Sequence, residues 1–228
     1  ILKLNKLIIW SNHYFKMHLF IYGLMIHCFC NDEVIGIDFG ASTSCVGVVI
    51  DGKVKIINNE FGNPVTASAI SINNNEIYYG DTAKQQMIYN PNTLFAIQKI
   101  IGYDDNDSDI IKTIDKYPFK IVRENSQLMV EITFINGSTF KYQLNVIASM
   151  IIKKMKNVAQ NFLKKEIQKA VIAVPSYFNE DQCQLIKKAS LDAGFIVIKI
   201  IKEPVAAVIA YDPIIRNKKI MVFHIGGY

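Results

Sequence analysis

An α/β fold, antiparallel at its start and parallel in its second half, is what this sequence of 228 residues predicts. Two observations carry that expectation. From residue 34 on, short β-branched runs follow one another and the Asp51-Gly52 dipeptide joins two of them, a two-residue hairpin signal. After residue 145 the pattern changes to long amphipathic helices alternating with compact apolar strands, the arrangement that places parallel strands side by side.

The elements follow in order. Residues 34–37 form a compact apolar strand; 45–50 and 54–57 flank the Asp51-Gly52 turn. Asn90-Pro91 is expected to open a helix with Leu94, Ile97 and Ile101 on one face and Gly102 at its end. Residues 103–109 are acidic and polar and are expected to be a surface loop. Residues 119–142 alternate again and turn at Asn136-Gly137, a small meander. Residues 145–163 are the strongest helix, with Ile147, Ile151, Met155, Val158 and Phe162 as its apolar stripe. Residues 170–174 are a buried strand ending at Pro175. A helix follows, capped by Asn179 with Gln182 three residues on and stopped by Gly194. Residues 196–201 are a strand, 203–211 a helix and 219–225 a last strand.

Composition sets the class. Half the residues are hydrophobic and a fifth charged, a globular balance and not a disordered one. The net charge of +5 is mild. Lys153, Lys154, Lys156, Lys164 and Lys165 read as a solvated helix face, and no basic stripe interleaved with aromatics marks a nucleic-acid interface. The four cysteines, Cys28, Cys30, Cys45 and Cys183, have neither metal-ligand nor disulfide-framework spacing. They read as reduced thiols, which suits a cytoplasmic, reducing compartment.

Residues 1–30 differ in character. The apolar run 18–30 is too short to span a bilayer as a helix. It reads either as a secretory signal beginning at Met17, which would direct the chain to the endoplasmic reticulum lumen, or as a disordered or artefactual upstream extension with Met25 as the true start.

Five stretches bear on chemistry. In Gly36-Ile-Asp-Phe-Gly-Ala-Ser-Thr-Ser-Cys-Val-Gly-Val, Asp38 ends a strand and Gly40 permits a sharp turn whose N–H groups, through Ala41, Ser42 and Thr43, can cradle phosphate oxygens. Asp38 can hold Mg²⁺ through water. Gly80-Asp-Thr-Ala-Lys84 stands before an expected helix, where Lys84 can reach a phosphate. Val174-Pro-Ser-Tyr-Phe-Asn-Glu is the third. In Ile201-Lys-Glu-Pro-Val-Ala-Ala, Glu203 begins a helix and the alanines form a close-packing face. The last is Met221-Val-Phe-His-Ile-Gly-Gly-Tyr, a strand running into Gly226 and Gly227. Singly, each has a bland reading: a turn, a surface lysine, a helix start.

In this order, the five stretches resemble the heat-shock seventy (DnaK-type) chaperones, over residues 34–228. The resemblance implies an actin-like (ribonuclease H-like) ATPase fold with a nucleotide cleft between two lobes. It places a leader at 1–30, a first lobe at 31–218 with a small β subdomain at about 60–142, and the first strand of a truncated second lobe at 219–228, whose outer edge would be unpaired. It implies ATP and Mg²⁺ as ligands. Asp38 matches the acid near the metal, Gly40 the phosphate-turn glycine, Lys84 the catalytic lysine that positions the attacking water, Pro175 the interlobe switch, Glu203 the second acid near the metal, and Gly226 and Gly227 the second phosphate turn. Expected partners are a J-domain protein, an exchange factor or a ribosome, and no membrane.

Departures from the family pattern point to impaired hydrolysis. Ala41 and Ser42 replace two threonines, Thr43 an aromatic, Cys183 the arginine that relays nucleotide state, and His224 an aspartate serving metal and water. Such changes resemble those of ribosome-associated, non-hydrolysing relatives. Two alternatives remain in view: a non-catalytic interaction protein, and a small-molecule kinase of the same superfamily. The third and fourth stretches argue for the chaperone branch over the kinase.

Overall fold

The computed structural model describes residues 6–10, 34–74, 76–103, 108–211 and 219–224. Strand β1 is Lys6–Trp10. Strands β2 (Val34–Phe39), β3 (Thr43–Ile50) and β4 (Lys53–Ile57) form the antiparallel opening. The β3–β4 turn has φ of 51° at Asp51 and 73° at Gly52, the paired left-handed residues that match a hairpin's twist. Strand β5 (Thr66–Ala67) pairs with the first residues of β3.

The segment from 69 to 143 holds two three-stranded sheets. One combines β6 (Ala69–Ile72), β7 (Ile77–Tyr79) and β8 (Thr93–Phe95), with helix α1 (Gly80–Gln85) between β7 and β8. Helix α2 (Ser108–Ile114) then leads to β9 (Lys120–Glu124), β10 (Gln127–Thr133) and β11 (Thr139–Gln143).

The expected helix after Asn90-Pro91 is absent. Thr93–Phe95 pairs with β6 instead, Ala96 takes a left-handed conformation (φ 52°), and Ile97–Lys99 is a single 3-10 turn. The competing interaction is visible. Asn90 Nδ2 donates to the Ile72 carbonyl and to Ser71 Oγ, fastening the segment to β6, whose free edge then takes up its backbone groups. Leu94, Ile97 and Ile101 are buried as the pattern implied, but along a bent path and not on a helix face. The expected loop 103–109 is also shorter than anticipated, since α2 begins at Ser108; residues 104–107 lie outside the described residues.

Helix α3 (Leu144–Leu163), strand β12 (Lys169–Val174), helix α4 (Glu180–Asp192), strand β13 (Val197–Lys202) and helix α5 (Glu203–Tyr211) complete the main layer; β14 is Ile220–His224. The main sheet runs β13-β12-β2-β3-β4, with β12 parallel to both β2 and β13. Its central strands bury both faces. Odd positions of β2 (Ile35, Ile37, Phe39) join even positions of β12 (Ala170, Ile172, Val174) in the large core under α3 and α4. The opposite parity (Val34, Cys45, Val171, Ala173) meets Ala206 and Ala207 of α5. That alternation is the period of two expected of a strand covered by helices on both sides.

Helix α3 inserts Ile147, Ile151, Ile152, Met155 and Ala159 into the core. Two readings of its faces need correction. Phe162 is 39% exposed and lies under the Lys55 ammonium, 4.6 Å from the ring centre. Lys156 is not on the solvated face: it is 8% exposed, donates to the Gly194 carbonyl at 2.6 Å and stands 5.0 Å over the Phe195 ring. Burial pushes its ammonium down from the ordinary lysine value. Gly194 ends α4 with φ 87°, and the lysine satisfies a carbonyl of that turn.

One edge of the last strand is taken up: β14 pairs in parallel with β1, Ile8 opposite Val222, in a sheet of two strands among the described residues. Part of the expected disordered leader is thus a strand.

Asn179 caps α4 as anticipated. Its Oδ1 accepts from Gln182 N at 2.8 Å, and Gln182 Oε1 accepts from Asn179 N at 2.9 Å. Asn179→Ala removes one half of this reciprocal pair. It is expected to cost about 1 kcal/mol, read as a lowered midpoint in urea unfolding with unchanged slope. A second expectation concerns acid. Burial alone would raise the Glu60 carboxyl, but the bond and charge of Lys154, 2.5 Å away, outweigh it and hold the group below its ordinary value. A depressed carboxyl contributes stability above its unfolded pKa and loses it as pH falls through the folded one. Lys154→Met should therefore flatten the acid limb of the stability curve below about pH 5, by no more than about 1 kcal/mol for so exposed a pair.

Candidate functional site

The parallel strands bring three turns to one edge of the main sheet. Asp38 of β2 stands opposite Ala173 of β12, which stands opposite Ile201 of β13. Two residues beyond that row lie Gly40, Pro175 and Glu203. With strands about 4.8 Å apart, the turns after β2 and β13 are roughly 10 Å from each other, and the carboxyl ends of adjacent parallel strands are where α/β sheets take their ligands. Asp38 shares the parity of Val34, so it belongs to the sheet face that α5 covers; Glu203 is the first residue of α5. The two acids accordingly belong to one side of one edge. Asp38 is buried and Glu203 half-exposed.

The β2–β3 turn is built tightly. A Cβ on Gly40 would fall 2.5 Å from the Thr43 carbonyl oxygen, so the chain closes here in a way only glycine permits. The Gly40 carbonyl accepts from Ser68 Oγ at 2.6 Å and from Gln98 Nε2 at 2.8 Å, and Ser68 Oγ also lies 2.8 Å from Ser44 Oγ. Ser68 N donates to the Ser42 carbonyl at 3.0 Å. With these carbonyls tied inward, the rest of the turn stays accessible: Ala41 and Thr43 are half-buried and Ser42 is exposed.

Lys84 lies inside α1, not ahead of a helix as the sequence suggested. The start of that helix is anchored by Asp81, whose Oδ2 accepts from Asn59 Nδ2 at 2.8 Å and whose Oδ1 accepts from Ala67 N at 3.2 Å. One turn later Lys84 faces a cavity of about 420 Å³. Ala41, Ser42 and Thr43 form part of its wall, Lys99 and Lys116 contribute two further cations, and Phe95 and Tyr117 supply aromatic surface. The Tyr117 hydroxyl donates to the Ala96 carbonyl at 3.1 Å; burial, with the Tyr177 phenol adding to it, pushes its pKa up to about 12. It stays a neutral donor through the physiological range.

The structure thus joins the phosphate turn to Lys84 in one cavity, and Asp38, Pro175 and Glu203 along one sheet edge, while those three do not line that cavity. Pro175 is buried and begins the turn into α4, with Phe178 N donating to its carbonyl at 3.3 Å. Cys183 is a free thiol 3.5 Å from the Lys202 ammonium, which also donates to the Phe178 carbonyl. Lys202 immediately precedes Glu203, so the thiol sits against the strand that delivers the acid. His224 ends β14, and Gly226 and Gly227 lie outside the described residues. Sequence reasoning missed Gln98 and Ser68. Both are fully or almost fully buried polar residues in apolar surroundings, which was the available signal.

The turn fits a phosphate group: it has the glycine-only closure, accessible backbone beyond it, and nearby lysines. Two carboxylates at one edge suit a Mg²⁺ that keeps most of its water and takes its remaining ligands from phosphates. Among the described residues no group of three His, Cys, Asp or Glu side chains gathers to hold a metal directly. No helix among them is long and apolar enough to cross a membrane.

A buried parallel edge with a glycine phosphate turn defines an α/β nucleotide-binding protein. Comparison with known proteins gives the particular family: the model for Hsp70 protein matches residues 34–228. The chain is 38% identical over 197 residues to a heat shock 70 kDa protein of Emericella nidulans, a match covering 85% of this chain and 30% of that relative. The chain belongs to the Hsp70 family, and its fold is the actin-like ATPase fold of that family's nucleotide-binding domain.

Gly40→Ala forces the turn apart at the Thr43 carbonyl. We expect it to cost about 1–3 kcal/mol in stability, as overpacking does, and to shift the backbone amide resonances of residues 40–43 far more than those of β12.

Proposed function

We propose that this chain is an ATP-binding module of the Hsp70 chaperone type whose hydrolytic step is impaired. The observation that carries the reading is the cavity in which the Ala41–Ser42–Thr43 turn meets Lys84, beside the edge that carries Asp38 and Glu203. In this reading the turn's N–H groups and the Ser42 hydroxyl receive phosphate oxygens, Lys84 offsets their charge, and, as the catalytic lysine that the resemblance makes it, Lys84 positions the attacking water. Asp38 and Glu203 orient the water shell of Mg²⁺. Bound Mg²⁺ would neutralise phosphate charge. By the resemblance, Gly226 and Gly227 would form a second phosphate turn, and Pro175 would pass the state of the cleft to α4.

Impaired hydrolysis rests on the chain's own side chains. Ala41 offers no hydroxyl to a terminal phosphate. Thr43 is no aromatic wall. By the resemblance, His224 replaces an aspartate that serves the metal and its water, and an imidazole does not replace a carboxylate beside Mg²⁺. Removing one such electrostatic group can cost about 10² in rate or more. Support for chaperone function, with a J-domain protein, exchange factor or ribosome as partner, comes from family membership; the chain spans 30% of the length of the curated relative it matches. A reducing, cytoplasmic setting is part of the same proposal and rests on the cysteine spacing, which suits no disulfide framework.

Isothermal titration of the chain with ATP, with and without Mg²⁺, tests the reading. Binding should require Mg²⁺ and weaken about tenfold or more in Asp38→Asn, the loss of one charged interaction of about 1.4 kcal/mol or more. Phosphate release should stay near background. Undetectable ATP binding would remove the proposal, and brisk hydrolysis abolished by Lys84→Ala would overturn its second half.

A further inference from the structure

We infer that Gln98 is the positioning residue that turns the β2–β3 loop into an anion receptor; this rests on the ATP-binding reading above. Gln98 is fully buried, and its Nε2 donates to the Gly40 carbonyl at 2.8 Å. A carbonyl can only accept, so the orientation of the amide follows from its partner: the NH₂ end faces Gly40. The Oε1 end has no hydrogen-bond partner among the described residues. A glutamine buried to hold a core together would use both ends of its amide. This one uses the end that touches the turn, and the bond it makes spans from residue 98 to residue 40.

The geometry of a peptide unit explains what that bond does. Among the described residues no peptide bond is cis, so the Gly40 C=O and the Ala41 N–H point in opposite directions across one rigid plane. Gln98 and Ser68 draw the carbonyl inward, which turns the Ala41 N–H away from them. Ala41 itself lines the cavity that also holds Lys84. Were the carbonyl released, the plane could rotate and present an oxygen where a phosphate oxygen must sit. Ser68 gives its one proton to the same carbonyl and accepts from Ser44 at 2.8 Å, so Gln98 is the second of two donors that fix the direction of the Gly40 carbonyl.

The test uses the full chain, magnesium tripolyphosphate as the probe, and calorimetry at pH 8 and pH 5.5, each variant compared with wild type at the same pH. Gln98→Leu removes the donor and should weaken binding at least tenfold at both pH values. Gln98→Glu should be as weak at pH 8. At pH 5.5 its buried carboxyl, raised by desolvation and by the facing carbonyl, is protonated and donates to Gly40 again, so binding should return to within about threefold of wild type. That pH-dependent rescue is the signature a filler of space would not give. In the ¹⁵N spectrum of the free chain, the Ala41 amide should move in Gln98→Leu. If Gln98→Leu fails to fold, the pH ratio of Gln98→Glu decides alone. Binding by both variants within twofold of wild type at pH 8, or no recovery of the glutamate variant at pH 5.5, overturns the inference. Absence of binding by wild type would instead bring down the ATP reading, and the role of Gln98 with it.

Discussion

The register between β2, β12 and β13 is the constraint on which the site depends. Parallel strands in step end together, and so the turns that follow them emerge together. A slip of one residue in β12 would move Pro175 and reverse which of its side chains meet α3 and which meet α5. The two-sided burial of these strands prevents that slip. Ile172 and Val174 fit only the large core, while Val171 and Ala173 fit only the shallow layer beneath α5. Hydrophobic alternation therefore sets the position of the acids, although neither acid takes part in the core.

The phosphate turn depends on a different kind of support. No apolar residue determines the direction of its carbonyls; Ser44, Ser68 and Gln98 do so, and all three are buried. Buried polar groups cost free energy unless each finds a partner. Their concentration beneath one turn shows where this molecule accepts that cost. The neighbouring helix α1 is held by a similar device, with Asp81 bonded to both Asn59 and the backbone of β5.

Much of this was legible in the residues. Asp51-Gly52 and Asn136-Gly137 mark turns that local backbone preference alone determines, and Asn179 with Gln182 marks a helix start within one turn of chain. The Asp38–Gly40 turn was legible because glycine after a strand-end acid is a local signal. What escaped was decided at a distance. Residues 90–101 carry a helical spacing of apolar side chains, yet Asn90 bonds to β6 and that sheet's open edge takes the segment over. Lys156 looks like any helix-surface lysine until α4 brings the Gly194 carbonyl over it. Gln98 and Ser68 are ordinary polar letters whose partner lies more than twenty positions away. The membership of the chain in the Hsp70 family was legible from the order of five short stretches, each unremarkable by itself.

The alanines of α5 carry a mechanical consequence. Ala206 and Ala207 are fully buried in the same layer as Val171 and Ala173, with Val208 of the helix packed beside them, so two methyl groups stand at the centre of the contact between helix and sheet. Glu203 is the first residue of that same rigid rod. The thickness of the shim at 206 and 207 therefore sets how far the acid stands from Asp38. A bulkier side chain there would act as a wedge, lifting the carboxylate out of alignment from a full helical turn away while leaving every polar group in the site chemically intact.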